Sequence, residues 1–91
     1  MKFRKKPVEI EAFQFTREHF NDRSKWPLWL HEAATKGVFY VTQSLGWNIK
    51  TLEGSLSVGT DDWVIKGVKG ELYPCKPDVF AMTYDPVPNP S

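Results

Sequence analysis

Polar and apolar positions set two periods near the start of the chain. In PVEIEAFQF (7–15), Val8, Ile10 and Ala12 alternate with Glu9 and Glu11, the period of two that marks a half-buried strand. The phase then slips, because Phe13 and Phe15 fall on the glutamate face. Either a bulge near Ala12 returns both rings to the core, or the second face is covered by the helix that follows. Pro7 suits the start of an edge strand, where a missing N–H does little harm. Further on the period lengthens. Trp26, Trp29, Leu30 and Ala33 are spaced i, i+3, i+4, i+7, one face of a helix. Pro27 fits a first helical turn, and Gly37 is a C-terminal stop. The spacing predicts a helix at about 25–36 after a loose turn at 17–22, with Thr16 and Ser24 as candidate N-caps. The Trp stripe reads first as core packing against a sheet and second as a partner-binding face.

From Val38 onward the pattern is a β meander. VFYVT (38–42) is β-branched and aromatic, and Ser44-Leu45-Gly46 is a turn. WNIKTL (47–52) places Trp47 and Ile49 opposite Asn48 and Lys50. Glu53-Gly54 connects it to SLSV (55–58), with Leu56 and Val58 in phase. Gly59-Thr60-Asp61-Asp62 is a second turn. WVIKG (63–67) and ELY (71–73) flank a glycine-bounded hairpin, Gly67-Val68-Lys69-Gly70. Pro74 and Pro77 bracket a corner, Pro77–Phe80 makes one helical turn, and Met82–Tyr84 makes a last short strand. These elements predict an α+β domain: a small, mainly antiparallel curved sheet or partly open barrel of five to six short strands with one main α-helix. The domain spans residues 1–85, and the Pro-rich tail 86–91 is extended and frayed.

Composition adds one point about the core. Four Trp, six Phe and three Tyr in 91 residues let a small chain build a core, since each ring buries roughly 150–250 Å². The net charge of +1 gives no global signal for nucleic acid. Lys2, Arg4, Lys5 and Lys6 form a basic cluster, read as a solvated arm beside an edge strand or, more sharply, as a phosphate contact. The single cysteine, Cys75, leaves no internal disulfide or Cys-based zinc site within this chain, and fits a reducing compartment. No segment approaches the ~18 apolar residues of a membrane span, and no signal-peptide pattern is present. A soluble, cytoplasmic protein is expected.

Each candidate for chemistry has a structural counterpart. His19 and His31 lack metal-ligand spacing and read as surface residues. Cys75 lies beside Lys76, whose ammonium favours a thiolate, but no base or oxyanion site is evident, so a buried structural cysteine is the first reading. Asp61 and Asp62 are an acidic pair suited to metal or acid–base work, or to accepting turn amides while pointing in opposite directions. Gly67-x-x-Gly70 lacks the helix of a phosphate-binding loop. Asp78 follows Pro77 where a helix dipole favours an anion. Lysines interleaved with rings (Trp47/Lys50, Trp63/Lys66, Tyr73/Lys76) suit stacking on single strands, or core rings with solvated lysines on the other face. No catalytic set, metal site or cofactor emerges. The ligand-binding candidates are Asp62, Lys66, Lys69, Glu71, Cys75 and Lys76.

Three segments together resemble a family of small phage and prophage proteins. Lys6-Pro7-Val8, Glu11-Ala12 and Gln14 match an opening basic-K-P-V-x-(I/V)-E-A-x-Q pattern. Thr51-Leu52-Glu53-Gly54 matches a T-L-E-G hairpin. Asp62 to Tyr84 matches D-(W/Y)-(I/V)-I-x-G-V-x-G-E-x-Y-P-C-K-P-D-(I/V)-F-x-x-T-Y almost throughout. Where the family has Pro-Gly-Asp before the aromatic residue, this chain has Thr60-Asp61-Asp62. The resemblance implies a phage or prophage accessory role and carries over no catalytic residue. The leading expectation is a small non-enzymatic module that binds a host or phage protein in the host cytoplasm. The alternatives are a small-molecule or nucleotide binder, with or without hydrolytic activity (the turns at Asp62 and Gly67–Gly70 with Lys66, Lys69 and Lys76), and a weak nucleic-acid binder. Exposed sheet edges leave self-association open.

Overall fold

The structure, a computed structural model, describes residues 1–3, 8–43 and 46–87. The expected basic cluster (apart from Lys2), Pro7, most of the turn at 44–46 and the end of the Pro-rich tail lie outside the described residues. The fold is α+β, with six strands: β1 (Glu11–Gln14), β2 (Phe39–Thr42), β3 (Gly46–Thr51), β4 (Gly54–Val58), β5 (Trp63–Lys66) and β6 (Leu72–Cys75). Two helices, α1 (Leu28–Thr35) and α2 (Pro77–Thr83), accompany them, with short 3-10 turns at Arg17–Phe20 and Arg23–Lys25. The strands form two antiparallel three-stranded sheets, β1-β5-β6 and β2-β3-β4. The α+β class, the antiparallel pairing and a strand count within the expected five to six hold; the single curved sheet or partly open barrel is corrected to two sheets, and a second helix joins the one expected. The meander breaks between β4 and β5, and β5 turns to pair with β1 from the start of the chain.

The break explains the phase slip in β1. Its register with β5 runs without an inserted residue, Glu11 opposite Lys66 through Gln14 opposite Trp63, so there is no bulge. Opposed residues share a face, so Phe13 and Val64 point one way while Ala12 and Ile65 point the other. Val64, Leu72 and Phe15 belong to the main core, which Phe13 flanks. The opposite face carries Trp63 and Ile65 and is covered by α2. The β1-β5-β6 sheet is thus apolar on both faces, and its second cover is α2, not the helix that follows β1 directly.

The main core is aromatic. Phe15 is fully buried and meets Phe20 at 4.8 Å, Phe39 at 5.5 Å and Trp47 at 5.9 Å, all edge-on. Phe39 stacks on Trp47 at 4.6 Å. Edge-on and offset arrangements suit the ring quadrupoles and add about 0.5–1.5 kcal/mol per pair beyond burial. Trp26, Leu30 and Ala33 are buried as the helical stripe requires. Trp26, however, precedes α1 with extended backbone, and Pro27 caps that helix instead of opening it. The Trp26 indole N–H donates to the His19 carbonyl at 3.1 Å. The Arg23 guanidinium lies over both Trp26 (5.3 Å) and Trp47 (5.2 Å), sealing the cluster from solvent.

Local signals set the ends of α1. Asp22, not Ser24, supplies the side-chain cap of the turn before it, accepting from the Ser24 N–H at 2.9 Å. Gly37, at φ 76°, ends it as expected: its N–H donates to the Ala34 carbonyl, and the Val38 N–H donates to the Ala33 carbonyl. This double closure needs a left-handed residue. The Met82–Tyr84 strand is not formed. Met82 and Thr83 complete α2, and Tyr84 is its C-cap.

Candidate functional site

The six candidate polar residues divide between the two ends of the β5–β6 hairpin. At one end, Asp62 is 2 % exposed. Its Oδ2 accepts the Gly59 N–H at 2.7 Å and the Lys76 ammonium at 3.1 Å. The backbone joins the same knot: the Phe15 N–H donates to the Asp62 carbonyl at 2.8 Å, and the Asp61 N–H donates to the Phe15 carbonyl at 2.9 Å. Asp62 therefore holds a turn together. Asp61 points to solvent, so the pair diverges as expected, and it adopts φ 70°. With the Asp62 N–H donating to the Gly59 carbonyl, Gly59–Asp62 is a β-turn whose third residue is left-handed, a position that favours glycine.

At the other end, the Lys69 N–H donates to Glu71 Oε2 at 3.0 Å, and the Glu71 carboxylate folds over Gly67. The Gly67–Gly70 loop closes on itself through Gly70 N–H to Gly67 carbonyl at 3.0 Å and Gly67 N–H to Glu71 carbonyl at 2.8 Å. Lys66 faces Glu11 across the sheet at 3.7 Å. Four residues at ~3.3 Å each separate this group from Asp62 by roughly 13 Å. The structure brings Asp62 and Lys76 together, and Lys69 and Glu71 together. It does not join the two groups into one site.

Cys75 is partly buried, and its thiol approaches only the Lys76 carbonyl, at 3.6 Å. Burial pushes the thiol pKa up, and the Asp62 and Asp78 carboxylates push it the same way. All three oppose the thiolate. The histidines are not plain surface residues. The His19 ring packs on Phe13 at 4.6 Å, with Nδ1 3.0 Å from the Thr16 hydroxyl. His31 packs on Trp26 at 5.4 Å. Among the described residues no group of three His, Cys, Asp or Glu side chains is placed to hold a metal ion. Nor is any helix among them long and apolar enough to cross a membrane.

A concavity lies elsewhere. An open groove of about 940 Å³ runs along the α2 side of the β1-β5-β6 sheet. Its floor is a ring stack: Trp63 lies on Phe80 at 4.0 Å with planes 5° apart, and Phe80 meets Tyr84 at 5.0 Å. The Tyr84 hydroxyl is 3.3 Å from that of Tyr73. Two segments outside helix and strand wall it, around Val8–Ile10 and Asp85–Val87. Sequence reasoning missed the groove because Met82–Tyr84 was assigned to a strand. The usable signal was Phe80 and Tyr84 at i, i+4, which share one face once α2 runs for two turns. No family model, curated protein or solved structure matches the chain.

Proposed function

We propose that this chain is a phage or prophage accessory protein that acts as a small non-enzymatic binding module for a host or phage protein, using the α2 groove. The observation that carries the reading is the groove itself: an open cleft lined by the stacked rings of Trp63 and Phe80. Large apolar clefts with a few polar groups are the usual form of a binding site. Exposed Val8 and Val87, both in the groove lining, add to its apolar area. The candidate polar residues favour a non-catalytic role, because Asp62, Lys69 and Glu71 are engaged in their own turns. The phage origin rests on the motif resemblance. The Gly59–Asp62 turn supports it, because the family's Pro-Gly-Asp would place glycine where Asp61 now holds φ 70°.

A photo-crosslinking amino acid at Ala81, in the groove lining, tests the reading against the same group at Leu52, on the β3–β4 turn. A host or phage protein captured from Ala81 and not from Leu52, in cells where the phage genes are expressed, is the expected result. Equal labelling from both sites, or none from either, would sink it.

A further inference from the structure

The chain as a whole is nearly neutral, with 12 basic and 11 acidic side chains, but the charge that the described residues bring to the groove is acidic. Its described lining contains two charged residues, Glu9 and Asp85, and both are acidic; Lys, Arg and His do not occur in it. One carboxylate comes from the segment before β1 and the other from the segment after α2. Trp63, Phe80 and Tyr84 line the same groove. Aromatic side chains with carboxylates beside them are complementary to a planar cation. A guanidinium stacks on aromatic rings, sheds its weak hydration readily, and bonds a carboxylate through two parallel N–H groups. An ammonium does only part of this.

Taking the binding-module reading as its basis, we infer that the groove docks an extended, arginine-bearing segment of a partner protein, with apolar or proline residues flanking the arginine. The extended form follows from size. The volume of the groove, about 940 Å³, lies at the upper end of the ~300–1,000 Å³ typical of ligand clefts, more than one side chain fills. Its lining includes Pro86 beside Val87. Aromatic-lined grooves of this kind suit proline-rich backbone, which loses little entropy on binding.

The test is a positional-scanning library of immobilised octapeptides probed with the intact protein. The expected outcome is enrichment of arginine over lysine and of lysine over glutamate, with arginine-to-glutamate replacement weakening the best peptide by about tenfold or more. The Glu9→Gln/Asp85→Asn double variant loses that preference and its salt dependence, while Asp62→Asn keeps both. Selected peptides that show no basic bias, or that bind the double variant equally well, overturn the inference. Selection of apolar or acidic peptides that still compete with the Ala81 crosslink would overturn the arginine preference and leave the binding-module reading standing. Failure of both experiments removes both. Self-association measured by sedimentation, abolished by the double variant, would assign the groove to a second copy of this chain and equally overturn a foreign segment as occupant.

Discussion

At Asp61 the backbone enters the left-handed region, which costs an ordinary L-residue roughly 1–2 kcal/mol and aspartate somewhat less. Asp61→Val should therefore be less stable than Asp61→Gly by about 1–2 kcal/mol, read from chemical denaturation midpoints; equal midpoints would show that the turn relaxes without cost. One residue on, the buried Asp62 carboxylate satisfies the Gly59 N–H. Asp62→Ala leaves that donor unpaired and should cost about 2–3 kcal/mol. Lys76→Met should change stability by less than about 1 kcal/mol, because the ammonium is largely in solvent. A large Lys76 effect would mean the pair itself holds the fold. Two pH effects follow from burial. Cys75 should alkylate more slowly than an exposed cysteine at neutral pH, its rate rising only at higher pH, because burial first and then Asp62 and Asp78 oppose the thiolate. The Tyr73 phenol is pushed up to about 12 by burial and then by its contact with Tyr84. An unfolded tyrosine ionises near about 10, so the stability from neutral Tyr73 is complete below that pH. It is lost as pH rises toward about 12. Thermal melts should show this alkaline loss flattened in Tyr73→Phe.

The short helix α2 depends on what it covers. Seven residues cannot hold a helix in water alone; Phe80 stacked on Trp63 anchors it. In Phe80→Ala, hydrogen exchange at the Tyr84 amide, which bonds the Phe80 carbonyl, should approach that of an open chain, while the β2-β3-β4 amides keep their protection. Loss of protection throughout would mean α2 and the core unfold as one unit. How far each segment was readable follows from where its partners lie. α1 carried its own stop at Gly37, and the β3–β4 hairpin its own turn, closed by the Thr51 hydroxyl on the Gly54 carbonyl. These were legible because neighbours in sequence make the contacts. β1 was legible as a strand, but not for the two-sided cover that explains Phe13 and Ala12, because that cover comes from α2 near the other end of the chain. Met82–Tyr84 was misassigned for the same reason. Its preference for helix is set by packing on Trp63, which local alternation does not contain, and the groove was lost with it.

Taken together, the two sheets share one aromatic core, with Phe15 touching rings from the 17–26 segment and from both β2 and β3. Phe15→Ala should cost about 3–5 kcal/mol, and probes in the two sheets should report one coincident unfolding transition. Separate transitions would mean that the sheets are independent units. The α+β class and the six strands were visible in the alternating pattern. Their division into two sheets was not, since nothing local to Gly59–Asp62 says that β5 leaves the meander to find β1. That pairing, Glu11 against Lys66, also fixes an order in time. During synthesis β1 is made well before its partner. At about 5–20 residues per second its pairing edge waits roughly 3–10 s for β5, while Phe15 is able to gather Phe20, Trp26, Phe39 and Trp47 and β2, β3 and β4 to close among themselves as they emerge. The β1 strand is then zipped in only after the β2-β3-β4 sheet has been made, and the interval before it is docked is when a nascent copy is most exposed to chaperones, proteases and its own neighbours.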